Sequence, residues 1–214
     1  MSKVTNMGHP ELFKPERFYD FIPRSDGVLG RLEKEAKKED IPIIGPVLGR
    51  LLHIFARSMG AKRVLELGTA TGYSAIWLGT AVAPAKGKVL TIEWDKATAK
   101  RARSNLQEAG LSKVVTVKQG DARKLLSSLK GPYDFIFLDV EKEQYSSLLD
   151  RAVKVLRPWG LLLFDNTAFT TGGDFLERSF NHPALETLHL YGLFPDHEPD
   201  FDAITVCMKK ASPR

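Results

Sequence analysis

Acidic and amide side chains follow two apolar runs of this chain, at the points where β-strands would end. Asp139 follows the run 133–138, and Asp165 and Asn166 follow the run 161–164. Because parallel strands end at one edge of a sheet, these side chains are expected to converge there. Two carboxylates and an amide oxygen form a hard-oxygen set, which suits Mg²⁺, Mn²⁺ or Ca²⁺ and suits zinc poorly.

Each of these residues also has a structural alternative. Asp139 suits the N-cap of a helix near 143–156, and Asp165 with Asn166 suits an Asx turn. The spacing by itself therefore leaves a metal site and a structural role both open.

A second functional signal is the segment VLELGTATGYS at 64–74, where an apolar run ends in an acid and two glycines. Gly68 and Gly72 lie where a tight strand-to-helix turn needs residues without a Cβ, so that a ligand can approach the amides of the helix start. A dinucleotide fingerprint would need glycine in place of Ala70 and Tyr73. The segment therefore favours a cofactor without a pyrophosphate, and S-adenosylmethionine is the leading candidate.

Glu93 supports this interpretation, because it ends the apolar run 88–92 about twenty residues beyond Gly72, where an acid can bind ribose hydroxyls. The alternative is that Glu66 and Glu93 are ordinary strand-end acids and that the glycines only form turns.

Strand and helix patterns alternate from residue 63 onward, with short polar connections. This alternation predicts an α/β fold: a Rossmann-like, doubly wound, seven-stranded and mostly parallel sheet, with an antiparallel last strand and helices on both faces. The length fits one domain over 1–214, with a helical lead over 1–60 and the core over 61–214. Strands are predicted near 63–67, 88–93, 113–118, 133–139, 161–164, 186–191 and 203–208, and helices near 28–40, 47–59, 73–82, 96–109, 122–129, 143–156 and 174–181. The first of these helices carries charges of alternating sign, which predicts a solvated face.

Composition narrows the class of protein. The 214 residues include one cysteine, Cys207, which excludes an internal disulfide and favours a reducing, cytoplasmic compartment. No apolar run approaches the roughly eighteen residues that span a bilayer, so no membrane segment is expected. A net charge of +5 is compatible with a nucleic-acid partner but modest for a dedicated one.

Several motifs, in order, resemble the cation-dependent O-methyltransferases, a family that includes the catechol and caffeoyl-coenzyme A O-methyltransferases. The resemblance covers residues 40–170. It is carried by YDFIFLDVEKEQY at 133–145, by LRPWG at 156–160, by LFDN at 163–166, and by the segments 43–49 and 66–74. The chain departs from the family after Asn166, where the loop 167–173 is short, and at 199–203, where the usual Gly-Asp-Gly turn is replaced by PDFDA.

The resemblance implies that Asp139, Asp165 and Asn166 bind a divalent cation, with Mg²⁺ favoured, and that Lys142 is the general base. Without the resemblance, Lys142 would be interpreted as a solvated lysine. For S-adenosylmethionine, the resemblance implies contacts with the methionine part, the ribose and the adenine. The implied cofactor-binding residues are Ile44, Glu66, Gly68, Ser74, Glu93, Asp121, Ala122 and Asp139.

The sequence therefore favours a metal-dependent O-methyltransferase that acts on one hydroxyl of a vicinal diol in a catechol-like small molecule, in a protein that pairs as a homodimer like its relatives. In this chemistry a chelated oxyanion attacks the methyl group in line, with no covalent enzyme intermediate. The alternative is methylation of hydroxyuridine in tRNA, because bacterial relatives with that activity look similar. A third interpretation, a non-catalytic cofactor-binding protein, fits poorly with the intact metal and lysine set.

Overall fold

The computed structural model describes residues 15–22, 24–197, 199 and 201–211 of the chain. Residues 1–14 of the predicted lead lie outside this part. The described residues form seven strands: β1 (Arg63–Leu67), β2 (Lys88–Glu93), β3 (Val115–Gln119), β4 (Tyr133–Leu138), β5 (Leu156–Phe164), β6 (Leu185–Leu193) and β7 (Phe201–Lys209). The same described residues form seven α-helices: α1 (Gly27–Glu39), α2 (Gly45–Ser58), α3 (Tyr73–Val82), α4 (Lys96–Glu108), α5 (Ala122–Ser128), α6 (Tyr145–Val155) and α7 (Phe175–Asn181).

The strands form one sheet in the order β3-β2-β1-β4-β5-β7-β6. The pairs among β1 to β5 are parallel, whereas β7 is antiparallel to both β5 and β6. Six strands therefore run one way and the last strand runs the other way, as the sequence predicts. The order reverses between β1 and β4, and this switch point is where open α/β sheets bind ligands.

The central strands are apolar on both faces, because both faces are covered by helices. Val64 and Phe135 face one core cluster together with residues of α1 to α4. Leu65 and Ile136 face the other cluster together with residues of α5 to α7. Successive residues of a strand point to opposite faces, which is why neighbouring positions enter different cores.

Strand β5 begins earlier than the sequence predicts. Helix α6 ends at Val155 and β5 starts at Leu156, which pairs with Tyr133, but the next pair is Phe135 with Leu161. The extra residues form an irregularity in which Trp159 takes φ +61 and remains 57% exposed. The apolar periodicity predicts only the regular part of the strand, since the irregular residues carry no alternation.

The charges of α1 are less solvated than predicted. Arg31 pairs with Glu35 on the same helix at 2.6 Å and with Glu108 of α4 at 2.8 Å. Glu35 in turn pairs with Arg101 of α4 at 2.9 Å. The alternating charges thus attach α1 to α4, because the two helices lie side by side on one face of the sheet. None of the described helices is long and apolar enough to cross a bilayer.

Candidate active site

A cavity of about 780 Å³ opens at the carboxyl ends of β1, β2, β4 and β5. Its position follows from the switch point of the strand order, where loops from neighbouring strands diverge. The cavity is lined by ten of the eleven site residues named from the sequence: Ile44, Gly68, Ser74, Glu93, Asp121, Ala122, Asp139, Lys142, Asp165 and Asn166. The eleventh, Glu66, lies in β1 and does not line it.

The glycine turn passes very close to the end of β4. Gly68 has φ +95, and a Cβ there would lie 1.8 Å from the carbonyl oxygen of Asp139. Only glycine is compatible with both the backbone conformation and this approach. The turn is also held from β2, because the Glu93 carboxylate accepts hydrogen bonds from the amides of Ala70 at 2.9 Å and Asp95 at 3.0 Å. Glu93 therefore shapes the turn in addition to its predicted role at the ribose.

Glu66 is a fully buried carboxyl group whose two oxygens have no hydrogen-bond partner among the described residues. Burial raises the pKa of Glu66 to about 8, although the nearby hydroxyls of Thr91 and Ser74 oppose the shift, and the charges of Asp139 and Glu93 add smaller upward contributions. A buried acid without a partner is costly unless a ligand compensates it. The ammonium group of a methionine moiety would do so, but Glu66 does not line the cavity, so its contact with a cofactor stays a prediction.

Asp139 and Lys142 form an ion pair at the end of β4. Lys142 Nζ lies 3.2 Å from Asp139 Oδ1, and its side chain is 19% exposed. Burial, followed by the charge of Asp165, raises the pKa of Asp139 to about 6, although Lys142 opposes the shift. The two carboxylates are therefore close enough to repel each other, which a bound cation would relieve.

Asp165 is held by a histidine that sequence reasoning missed. The side chain of His197 lies 3.0 and 3.2 Å from the two oxygens of Asp165 through Nε2, and its Nδ1 donates to the carbonyl oxygen of Pro199 at 2.9 Å. Burial lowers the pKa of His197, but the hydrogen bond and charge of Asp165 outweigh it and raise the value to about 9. His197 is thus a buried cation beside one of the predicted metal ligands.

Asn166 is held by a second residue that the sequence did not indicate as functional. Its Nδ2 donates to Asp202 Oδ2 at 2.5 Å, and Asp202 is fully buried. Asp202 was noted only as part of the turn that departs from the family pattern, and His197 is a lone histidine between prolines. Neither residue carries a spacing signal, because His197 lies in the segment before β7 and Asp202 is the second residue of β7, both far along the chain from β5.

The set formed by Asp139, Asp165 and Asn166 fits a hard divalent cation by its donor chemistry. Within the described residues, no three His, Cys, Asp or Glu side chains are grouped to hold a metal ion. The predicted metal site therefore depends on the amide of Asn166 as its third protein ligand.

A smaller cavity of about 140 Å³ lies next to the large one. Its walls come from the loop after β5 and the start of α7, and they include Phe169, Phe175 and Leu176. In the described part of the chain, Lys142 and Asn166 line both cavities. The short loop 167–173 thus forms a wall beside the lysine and the amide.

The chain resembles known O-methyltransferases. Residues 25–189 match the family model described as O-methyltransferase. A catechol O-methyltransferase of Niastella koreensis is 35% identical over 147 residues, which are 67% of this chain and 65% of that protein. A catechol O-methyltransferase of Mycobacterium tuberculosis is 34% identical over 159 residues, 74% of this chain and 70% of that protein. Among solved structures, the O-methyltransferase TomG of Streptomyces achromogenes in complex with SAM has a TM-score of 0.80 at 27% identity, and the match covers 94% of this chain and 100% of that one.

Proposed function

Because this chain belongs to the S-adenosylmethionine-dependent O-methyltransferase family, we propose that it transfers a methyl group from S-adenosylmethionine to one hydroxyl of a small aromatic diol, with the help of a divalent cation. The observation that carries this proposal is that Lys142 and Asn166 border both the large and the small cavity. The proposed base and one proposed metal ligand would thus lie where a cofactor in one cavity meets an acceptor in the other.

The large cavity is the proposed cofactor site. Gly68 and Ser74 of the glycine turn line this cavity. Glu66, two residues before Gly68, is a buried acid without a hydrogen-bond partner among the described residues, and it would pair with the ammonium group of the methionine part. Glu93 and Asp121 lie at the ends of β2 and β3 and would face the ribose and the adenine. Related structures with SAM or SAH bound support the same cofactor.

The small cavity is the proposed site of the acceptor ring. An engineered apolar cavity of about 150 Å³ is known to hold benzene, so a volume of about 140 Å³ suits a single aromatic ring. Phe169, Phe175 and Leu176 supply apolar walls for it. This size favours catechol-like acceptors, which is also the activity that the names of two relatives state.

The proposed mechanism assigns cation binding and proton transfer to four side chains. A bound divalent cation supplies Lewis-acid stabilisation of the acceptor oxyanion. Asp139, Asp165 and Asn166 would hold that cation. Lys142 would accept the proton of the acceptor hydroxyl at Nζ. The two cavities would hold the cofactor and the acceptor next to each other, and this alignment would contribute much of the rate.

The proposal is tested by transfer of labelled methyl from S-adenosylmethionine to catechol, to phenol and, in parallel, to total tRNA. Each reaction is run with Mg²⁺ and with a chelator. We expect transfer to catechol that the chelator abolishes, and none to phenol, because a lone hydroxyl cannot chelate the cation. Lys142→Ala should lose the activity, whereas Lys154→Ala, an exposed lysine on α6, should keep it.

Three results would contradict the proposal. Transfer that a chelator does not inhibit would show that the reaction needs no divalent cation. Full activity of Lys142→Ala would show that Lys142 is not the general base. Transfer to tRNA alone would replace the small acceptor by a nucleic acid.

A further inference from the structure

We propose that Asp202 is a positioning residue, which orients the amide of Asn166 so that its carbonyl oxygen, and not its NH₂ group, serves the cation. This inference rests on the metal site of the proposed function. It assigns a role to a residue of β7 that does not itself line the large cavity among the described residues.

The two carboxylate oxygens of Asp202 accept hydrogen bonds from different donors. Oδ2 accepts from Asn166 Nδ2 at 2.5 Å. Oδ1 accepts from the backbone amides of Ala203 at 2.6 Å and Ala168 at 3.2 Å. All three donors point at oxygens that are fully buried, so the side chain cannot rotate without breaking these bonds.

This arrangement decides which end of the Asn166 amide faces which partner. An amide is planar and carries one NH₂ and one carbonyl oxygen, and its orientation is set by the hydrogen bonds around it. Because Asp202 can only accept, it selects the NH₂ group for itself. The carbonyl oxygen of Asn166 then faces away from Asp202, and oxygen is the ligand atom that a hard cation needs.

The orientation matters because the metal site has no substitute for this ligand among the described His, Cys, Asp and Glu residues. Asn166 also has a left-handed backbone conformation, with φ +47. Its position is stabilised from the same strand, since the amide of Thr167 donates to the carbonyl oxygen of Ala203 at 2.7 Å. Strand β7 therefore fixes both the backbone and the side chain at this point, as groups outside a metal site commonly do.

Asp202→Asn should reverse the amide of Asn166. The new side chain has one oxygen and one NH₂ group, and the oxygen is needed by the two backbone amides of Ala203 and Ala168. Its NH₂ group then faces Asn166, whose amide must turn and present its own carbonyl oxygen to position 202. The NH₂ group of Asn166 replaces the oxygen on the metal side and repels a cation.

The exchanged pair, Asp202→Asn with Asn166→Asp, should restore the oxygen on the metal side. In this pair the donor lies at 202 and the acceptor at 166, and the total charge is that of the wild type. Asn166→Asp alone places two carboxylates against each other, and that repulsion disturbs the site. The two substitutions are therefore expected to be strongly coupled.

The experiment measures Mn²⁺ binding by electron paramagnetic resonance, on protein saturated with S-adenosylhomocysteine. We expect Asp202→Asn to weaken Mn²⁺ binding by about 10- to 100-fold. The affinity for S-adenosylhomocysteine should stay unchanged, which shows that the variant is folded. The exchanged pair should recover at least the wild-type affinity for Mn²⁺. The matched control is Asp150→Asn, the same change at a side chain that is 64% exposed, and it should have no effect.

Unchanged Mn²⁺ affinity in Asp202→Asn would overturn the inference and leave the proposed function intact. Additive effects of the two substitutions would overturn it as well. If Asp202→Asn fails to bind S-adenosylhomocysteine, the double variant Asp202→Asn with Asn166→Asp is measured in its place. Loss of Mn²⁺ binding in a double variant that still binds S-adenosylhomocysteine would contradict the inference. Absence of Mn²⁺ binding in the wild type would instead overturn the proposed metal site, and the inference with it.

Discussion

Replacing Glu66 by glutamine should stabilise the protein in the absence of cofactor. The carboxyl group of Glu66 is fully buried, and burial raises its pKa from 4.5 to about 8. The native state therefore keeps a proton that the unfolded chain releases above pH 4.5. Glutamine has nearly the same size and does not ionise, so Glu66→Gln removes this difference between the two states.

The size of the effect follows from proton linkage. At pH 7 the unfolded chain has lost its proton, and returning it on folding costs about 1.4 kcal/mol for each pH unit above 4.5, or about 3 kcal/mol. The sign is that of a raised carboxyl pKa: the native state loses stability as pH rises from 4.5 to about 8. The gain from Glu66→Gln should fall almost to zero near pH 4.5. For a chain of this length, about 3 kcal/mol raises Tm by roughly 6–12 °C.

The assay is thermal and urea unfolding of the metal-free and cofactor-free protein between pH 4.5 and 8. Glu186→Gln, at an exposed position on the edge strand β6, is the matched control and should change stability little at any pH. A stability gain that does not depend on pH would refute the reasoning. Destabilisation by Glu66→Gln at pH 7 would also refute it, because it would mean that the carboxylate is stabilised in the native state.

Three further predictions concern cofactor binding and catalysis. Binding of S-adenosylhomocysteine at pH 7 should release up to one proton, because the raised pKa of Glu66 keeps it protonated and it must ionise to pair with the ammonium group. Calorimetry in two buffers of different ionisation heat measures this release, and release that persists in Glu66→Gln would contradict the prediction. Lys142→Ala should lower kcat by about 10²- to 10⁴-fold and leave the affinity for S-adenosylhomocysteine unchanged, and a parallel loss of that affinity would argue against a role as base. Gly68→Ala should abolish cofactor binding and lower Tm, because its Cβ would lie 1.8 Å from a backbone oxygen. Gly110→Ala is its matched control, since Gly110 also has a positive φ, +72, but no atom lies within 4 Å of its Cβ, and equal effects of the two changes would show that only backbone strain matters.

The order of the elements and the family of the protein could be read from the sequence. Apolar runs with short polar connections predict the alternation of strands and helices, because periodicity is a local property. The predicted seven-stranded sheet and its antiparallel last strand are confirmed. The resemblance to O-methyltransferases is confirmed by the family match over residues 25–189. Motifs such as 66–74 are equally local, since the turn needs its glycines within a few residues of each other.

The grouping of the predicted site residues at one edge of the sheet also followed from the sequence, because most of them lie at or shortly after the carboxyl ends of strands, whereas Ile44 lies at the start of α2. Parallel strands bring their carboxyl ends to one edge, and ten of the eleven named residues line the cavity there. Their roles as ligands and base remain predictions, which the experiments above test.

Only the tertiary structure decided what surrounds those residues. His197 and Asp202 lie 32 and 36 positions beyond their partners Asp165 and Asn166. They meet because β7 inserts between β5 and β6 in the sheet, and no local pattern encodes that insertion. The isolation of Glu66 is of the same kind, since burial depends on every element packed around β1. A sequence therefore determines which groups stand at the strand ends, whereas their partners and ionisation depend on contacts between segments that only folding brings together.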